Sequence, residues 1–246
     1  MAVGDEAGDH AEALALLWER RPQPRRGPRP ALSLEAIARA GIEIADADGI
    51  PAVTMQRVAE ALGFTKMSLY RYVPGKVELV ALMTDTALGE PVRLDSVAGG
   101  WRPSLYEWAT CMFDRFWRHP WALETTVGAR PMGPNEISWL EQAVAALSGT
   151  GLDGGEILDV AVTLVGHVRT IAQQGAAMAS ESPERALDSA FGALLSGREE
   201  RFPALAAALD SARRNGSRDQ ALDFGLNRIL DGVELLIATR TGSHGA

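Results

Sequence analysis

The sequence predicts an all-α protein, and three observations carry that prediction. From Ser33 onward apolar side chains recur at three- and four-residue spacing, which puts them on one face of successive helices. Side chains that favour helix N-caps (Ser33, Thr54, Thr65, Asp153) stand where those stripes begin, and Gly49 and Gly63 stand where two of them end. No stretch alternates apolar and polar residues as a half-buried strand does, and there is no internal repeat. The expected architecture is a small head of three helices, joined by a fourth helix to a larger helical body.

Residues 9–20 fit a short helix. The next stretch, PQPRRGPRP from Pro22 to Pro30, forbids helix through its prolines and carries Arg25, Arg26 and Arg29. It reads as an extended arm, either a solvated linker or an arm that lies on nucleic acid. In the head, Ser33 caps a helix whose apolar positions are Leu34, Ile37, Ala38, Gly41, Ile42 and Ala45, ending at Asp48-Gly49. Thr54 caps a second helix with Val58, Ala59 and Leu62. Gly63 ends it, and Thr65 opens a third that runs to Tyr72 before Val73-Pro74-Gly75. After that turn a fourth helix begins, with Val77, Val80, Ala81 and Thr84 on one side.

The body starts beyond Gly89-Glu90-Pro91. Its first helix carries Trp101, Leu105, Trp108, Met112 and Phe116 in one stripe, followed by breaks at His119-Pro120 and around Gly128–Pro131. Gly133 to Leu147 reads as a helix with Ile137, Leu140, Val144 and Leu147. Asp153 caps a long one, apolar on more than one face, to about Met178. A helical piece, a loop and FPALAAAL fill 181–218. The last helix, about Asp219 to Thr239, carries Leu222, Leu226, Ile229, Leu230, Val233 and Ile237.

Composition narrows the function classes. No apolar run approaches the roughly 18–20 residues that cross a bilayer. The acidic N-terminus MAVGDEAGDHAEA lacks a signal-peptide core, so a cytoplasmic location without membrane contact is expected. The lone Cys111 excludes an internal disulfide and a multi-cysteine zinc site, and reads as a core residue. The histidines His10, His119, His167 and His244 form no metal-ligand spacing, and no phosphate-binding or nucleophile-elbow motif follows a strand, so no catalysis and no cofactor are expected. The net charge of -8 would disfavour nucleic acid if it were spread evenly. It is not: residues 20–80 carry ten Lys/Arg against six Asp/Glu, and the chain's two lysines, Lys66 and Lys76, both lie there. Local charge sets attraction to phosphate.

A helix as short as Thr65–Tyr72 is marginal alone, because nucleation is costly. Held by two neighbours, it becomes the second helix of a helix-turn-helix, with Leu69 as core anchor and Val73 behind it. Lys66, Met67, Ser68, Tyr70, Arg71 and Tyr72 are then left mostly outward, placed to enter a major groove. Ser68 and the tyrosine hydroxyls suit phosphate oxygens, and Lys66 or Arg71 suits a guanine edge. The plainer reading of the same pattern is a packed helical hairpin with an aromatic surface.

The stretch TMQRVAEALGFTKMSLYRYVPGKVEL resembles the N-terminal DNA-binding head of the TetR family of bacterial regulators, most specifically in its LY pair followed by an aromatic and a turn ending in Lys. Farther on, GARPMGPNEISWLEQAV, LVGHVRTIAQQ and DFGLNRILDGVELLI resemble the C-terminal core of the tetracycline-repressor branch. The resemblance implies a DNA-binding domain over 33–80 and an effector-binding and dimerisation domain over 81–246, after an extension with its Arg/Pro-rich arm over 1–32. It implies phosphate contacts from Thr54, Tyr70 and Lys76, and groove contacts from Lys66, Met67, Ser68 and Arg71. Gln56 stands where tetracycline repressors have Arg, so their operator sequence does not carry over.

For the body, the resemblance implies a homodimer built by the helices at about 153–178 and 219–239 on a palindromic double-stranded operator. It also implies a small-molecule site at Trp108, Met112, Thr126, Arg130, Trp139, Gln142 and His167. Tetracycline repressors hold a magnesium ion with their drug through a His whose counterpart here is Thr126. Ala129 and Gly175 replace two further polar groups of that site. Magnesium needs oxygen-rich surroundings, so the expected effector is a bulky apolar or aromatic compound bound without metal. The expected function is a ligand-released repressor. The alternative is a repressor that takes no ligand, whose sign is a solid body with Trp108 and Trp139 filling the space themselves.

Overall fold

The computed structural model describes residues 3–19, 32–178, 192–215 and 221–243, and every regular element among them is helical. The expected arm residues Arg25, Arg26 and Arg29 lie outside the described residues.

The head comprises α2 (Leu34–Asp48), α3 (Met55–Ala61) and α4 (Lys66–Tyr70). Each starts at the expected cap. Ser33 Oγ accepts from Ala36 N at 3.1 Å, Thr54 Oγ1 from Arg57 N at 3.1 Å, and Thr65 Oγ1 from Ser68 N at 3.3 Å. Gly63 turns the chain between α3 and α4 with φ of +72°, a conformation that side chains other than glycine's strain to adopt. Ile37, Ala38, Val58, Ala59, Leu69 and Val73 close the head core without solvent exposure. The third head helix is shorter than expected, five residues. Pro74 disfavours helical backbone at Val73, and the end of α4 tightens into a turn in which Tyr72 N and Val73 N both reach Leu69 O.

The connecting helix α5 (Lys76–Leu88) is sandwiched: α1 and α2 pack on it, and so do α6, α7 and α8 of the body. Its core side chains are Leu79, Met83, Ala87 and Leu88, while Val77 is 46% exposed. The expected stripe of Val77, Val80, Ala81 and Thr84 is therefore corrected. A helix covered on several sides has no single buried face, and spacing alone cannot orient it. Helix α1 runs Val3–Trp18 rather than 9–20, and seats Ala13 and Leu16 in buried positions as it packs on α5.

The body contains α6 (Trp101–Arg118), α7 (Ala122–Thr125), α8 (Pro134–Leu147), α9 (Gly154–Met178), α10 (Pro203–Asn215) and α11 (Ala221–Ser243). Asp153 and Glu156 cap α9 reciprocally, Glu156 N donating to Asp153 Oδ1 at 2.9 Å and Asp153 N to Glu156 Oε2 at 3.0 Å. Helix α9 packs on α6, α8 and α11. Arg102 ties α6 to α11 through Asp231 and Glu234. Leu158 and Val162 on α9 and Phe224 and Leu235 on α11 remain 47–68% exposed. Among the described residues no helix is long and apolar enough to cross a membrane.

Candidate functional site

Helix α4 and the residues just after it expose four of the six side chains expected to face outward. Lys66, Met67, Tyr70 and Arg71 are exposed, Met67 by 72%, although large apolar side chains usually seek cover. The Lys66 ammonium sits 5.4 Å from the centre of the Tyr70 ring, so the two form one amphipathic projection. Ser68 is half-buried, with its Oγ 2.9 Å from Thr65 Oγ1. Tyr72 is half-buried and packs against the core, so less of it faces outward than expected.

Nearby, Thr54 caps α3 and remains exposed, Gln56 is exposed and donates to Glu60 Oε1 at 2.6 Å, and Lys76 is exposed at the first turn of α5. Between Glu60 and Glu78 the chain has no carboxylate, while it has Lys66, Arg71 and Lys76. Glu78 itself is buried. The face is therefore locally cationic in an acidic protein, which is what a polyanion requires.

Three polar ties join this head and α5 to the body. Asp46, near the end of α2, accepts from Trp121 Nε1 at 2.7 Å and lies 2.8 Å from His119 Nδ1, beside the break between α6 and α7. Thr84 on α5 donates to Thr125 on α7 at 2.8 Å. Asp85, one residue on, caps α8: its Oδ1 accepts from Asn135 N at 2.9 Å and Glu136 N at 3.1 Å, and its backbone oxygen accepts from Asn135 Nδ2 at 3.0 Å. Burial raises the Asp85 pKa against the opposing effect of those backbone bonds.

The residues expected to meet an effector fall into three groups. Trp108, Met112 and Trp139 are buried together at the centre of the body, with Gln142 half-buried one turn beyond Trp139 on α8. The two indoles meet edge to face, 6.2 Å between ring centres. Trp108 Nε1 donates to Trp139 O at 2.8 Å, and Trp139 Nε1 to Gly89 O at 2.9 Å. A second group lies at the break between α7 and α8. Thr126 donates to Ala122 O at 2.6 Å and accepts from Arg169, which also donates to Leu123 O and lies over the Phe116 ring. Arg130 forms a two-pronged pair with Glu136. Burial, and after it the charge of Arg130, lowers the pKa of Arg169.

His167 stands apart from both groups. Two residues along a helix turn about 200°, so His167 and Arg169 leave α9 on opposite sides. The His167 ring faces α11, where Nε2 lies 3.0 Å from Leu222 O, and a Cβ on Gly225 would come within 2.1 Å of it. A glycine at that position is what lets the ring in.

Sequence reasoning missed Asp46, Asp85, Glu136 and Arg169. Only Arg169 gave a signal, as a cation on an otherwise apolar stretch of α9. The carboxylates of Asp46 and Asp85 look like ordinary surface residues of a helix until the body is laid against them.

Residues 37–83 match the family described as bacterial regulatory proteins, tetR family, and residues 95–237 match the tetracyclin repressor-like C-terminal domain. The HTH-type transcriptional repressor DrrR1 of Streptomyces coeruleorubidus is 35% identical over 247 aligned residues, covering 96% of this chain and 90% of that one. An HTH-type transcriptional regulator of Saccharopolyspora erythraea is 30% identical, with 76% and 78% covered. Among solved structures, the TetR family protein ActR of Streptomyces coelicolor in complex with actinorhodin superimposes with a TM-score of 0.66 at 25% identity, covering 82% of this chain and 94% of that one. With a helix-turn-helix head, a helical body and both matches in the same order, the chain belongs to the TetR family of DNA-binding transcriptional regulators.

Proposed function

We propose that this DNA-binding repressor grips its operator as a homodimer and leaves it when a bulky apolar or aromatic molecule binds in the body. The observation that carries the reading is the acid-free segment from Ala61 to Val77, exposed on α4 and tied through Asp46, Thr84 and Asp85 to the body. Lys66 and Arg71 would read base edges, with Met67 and Ser68 against the groove floor. Thr54, Tyr70, Tyr72 and Lys76 would contact phosphates, and Gln56 would replace a base contact with a shorter one. The exposed apolar residues of α9 and α11 support a dimer through those helices, which gives two heads the spacing of two half-sites.

Effector binding acts only through its differential affinity for two arrangements of the body. A change at the break around Gly128–Pro131 would reach α5 through Thr84 and Asp85, and respace the heads. A metal-bound drug is disfavoured at Thr126, because its hydroxyl is already engaged by Arg169, whose guanidinium would repel a divalent cation there.

A second reading is favoured by one observation. Trp108 and Trp139 bond each other and Gly89 at the centre of the body, as they would in a repressor that takes no ligand there. One experiment separates the two. Binding of the full chain to its upstream intergenic DNA is measured by fluorescence anisotropy at several salt concentrations, with and without actinorhodin as the aromatic probe. A salt-sensitive complex that loses about one unit of salt slope in Lys76→Ala is expected, and release by the probe favours the ligand-gated form. No selective complex on that DNA or on genome-wide selected fragments would overturn both.

A further inference from the structure

Helix α1 precedes both matched family regions, and its docking leaves an unusual pair of side chains. Ala13 and Leu16 are buried as α1 packs on α5, while Leu14 and Trp18, one turn apart, turn the other way and stay 43% and 50% exposed. Trp18 Nε1 reaches across to donate to Met132 O at 2.9 Å. Opposite them stand Arg130, Pro131, Met132 and Ile137, the last two 41% and 37% exposed. Together these six residues line an open cleft of about 420 Å³, within the size range of small-molecule sites. Water-facing apolar side chains gathered on two walls of one cleft mark a binding site more often than scattered ones do.

The polar group of this lining is Arg130. Its Nη atoms are engaged by Glu136 and Pro131 O, but its buried Nε has no partner. Arg169 adds a second guanidinium close enough to feel Arg130. The cleft lining itself holds a guanidinium with an unused donor and no carboxylate.

We propose that α1 and the segment Arg130–Ile137 form a binding cleft for an aromatic anion, a planar apolar ring system bearing a carboxylate, sulfonate or phenolate. The rings lie between Leu14, Trp18, Met132 and Ile137, and the anionic group faces Arg130. Of the residues expected to meet an effector only Arg130 is shared, so the cleft stands apart from the Trp108–Trp139 centre and does not depend on that centre taking a ligand. Because α1 also rests on α5, an occupant bears on the helix that carries the head.

The test uses the full chain with anilinonaphthalene sulfonate as the anionic probe and N-phenylnaphthylamine as its neutral counterpart, both followed by fluorescence. Saturable binding of the anion at one site per chain is expected, at least about fivefold tighter than the neutral probe. Leu14→Glu and Ile137→Glu change exposed side chains on opposite walls, and each weakens the anion by about tenfold or more with unchanged far-UV circular dichroism. Affinity within about twofold of wild type in Leu14→Glu, or equal affinity for the two probes, overturns the proposal. Both outcomes are independent of whether the chain releases DNA, so failure of the operator reading leaves this result interpretable.

Discussion

Replacing Asp85 tests the joint between head and body most directly. Its side chain is 7% exposed and accepts two backbone N–H groups at the start of α8. Loss of a helix cap costs about 0.5–2 kcal/mol, and bonds to a charged acceptor are each worth about 1.5–3 kcal/mol. Part of that is returned because burial opposes the charge. Asp85→Ala is therefore expected to destabilise by about 2–4 kcal/mol, a fall in melting temperature of roughly 4–16 °C for a chain of this size. Asp85→Asn keeps an acceptor at the Oδ1 position and removes the buried charge, so it should lie within about 1 kcal/mol of wild type.

The pH dependence has a defined sign. A carboxyl whose folded pKa is raised binds its proton more tightly in the native state. Its contribution to stability is present below the unfolded value of about 3.9. That contribution is lost as pH rises through the folded value. Thermal unfolding followed from pH 4 to 7 should show that decline in wild type and a flatter profile in Asp85→Asn. Equal destabilisation by Asn and Ala, or no effect of Ala, would refute the capping argument.

The remaining expectations concern other parts of the molecule. Val162 is 66% exposed in the protomer, so Val162→Asp should change protomer stability by no more than about 0.5 kcal/mol while shifting sedimentation from dimer to monomer; an unchanged dimer would move the interface off α9. Trp108→Phe removes the donor to Trp139 O and some ring volume, and should cost about 2–4 kcal/mol in chemical unfolding; a cost below about 1 kcal/mol would mean that the centre is not tightly packed. Burial, then the bond to Glu107, pushes the Cys111 thiol up to about 11. Its alkylation by iodoacetamide at neutral pH should be on the order of 100-fold slower than that of a free thiol, and a rate equal to free cysteine would contradict its environment.

Much of the fold was legible because caps and stripes are local signals. Ser33, Thr54 and Thr65 each act within three residues of themselves, and each caps the helix it was expected to cap. The Trp101–Phe116 stripe has one face to bury and buries it from Leu105 to Phe116. Helix α5 defeated the same reasoning, since packing from both head and body erases the contrast between faces on which spacing relies. His167 was placed by resemblance among the effector residues, yet it answers to Gly225 and Leu222 on α11, some 55 residues away in the chain. The ties at Asp46 and Asp85 depend on contacts 75 and 50 residues distant, respectively, and a carboxylate in the sequence carries no mark of its partner.

Those ties also set the scale on which regulation can work. Bonds at Asp46, Thr84 and Asp85 hold the head side to the body, each worth about 0.5–3 kcal/mol depending on charge. Effector coupling in proteins is typically about 1–3 kcal/mol. A ligand need not break the whole joint, therefore, since losing a single tie is of the right size. The geometry favours the Asp85 and Thr84 ties for this role. They end at Thr125 and at Asn135–Glu136, on either side of the Gly128–Pro131 break, whereas Asp46 is held by His119 and Trp121 at the far end of α7. An effector at the break would thus loosen α5 while Asp46 keeps α2 against the body, turning the head about the Asp46 contact. A hinge of that kind needs one firm point and one releasable one, roles that Asp46 on α2 and Asp85 on α5 would fill.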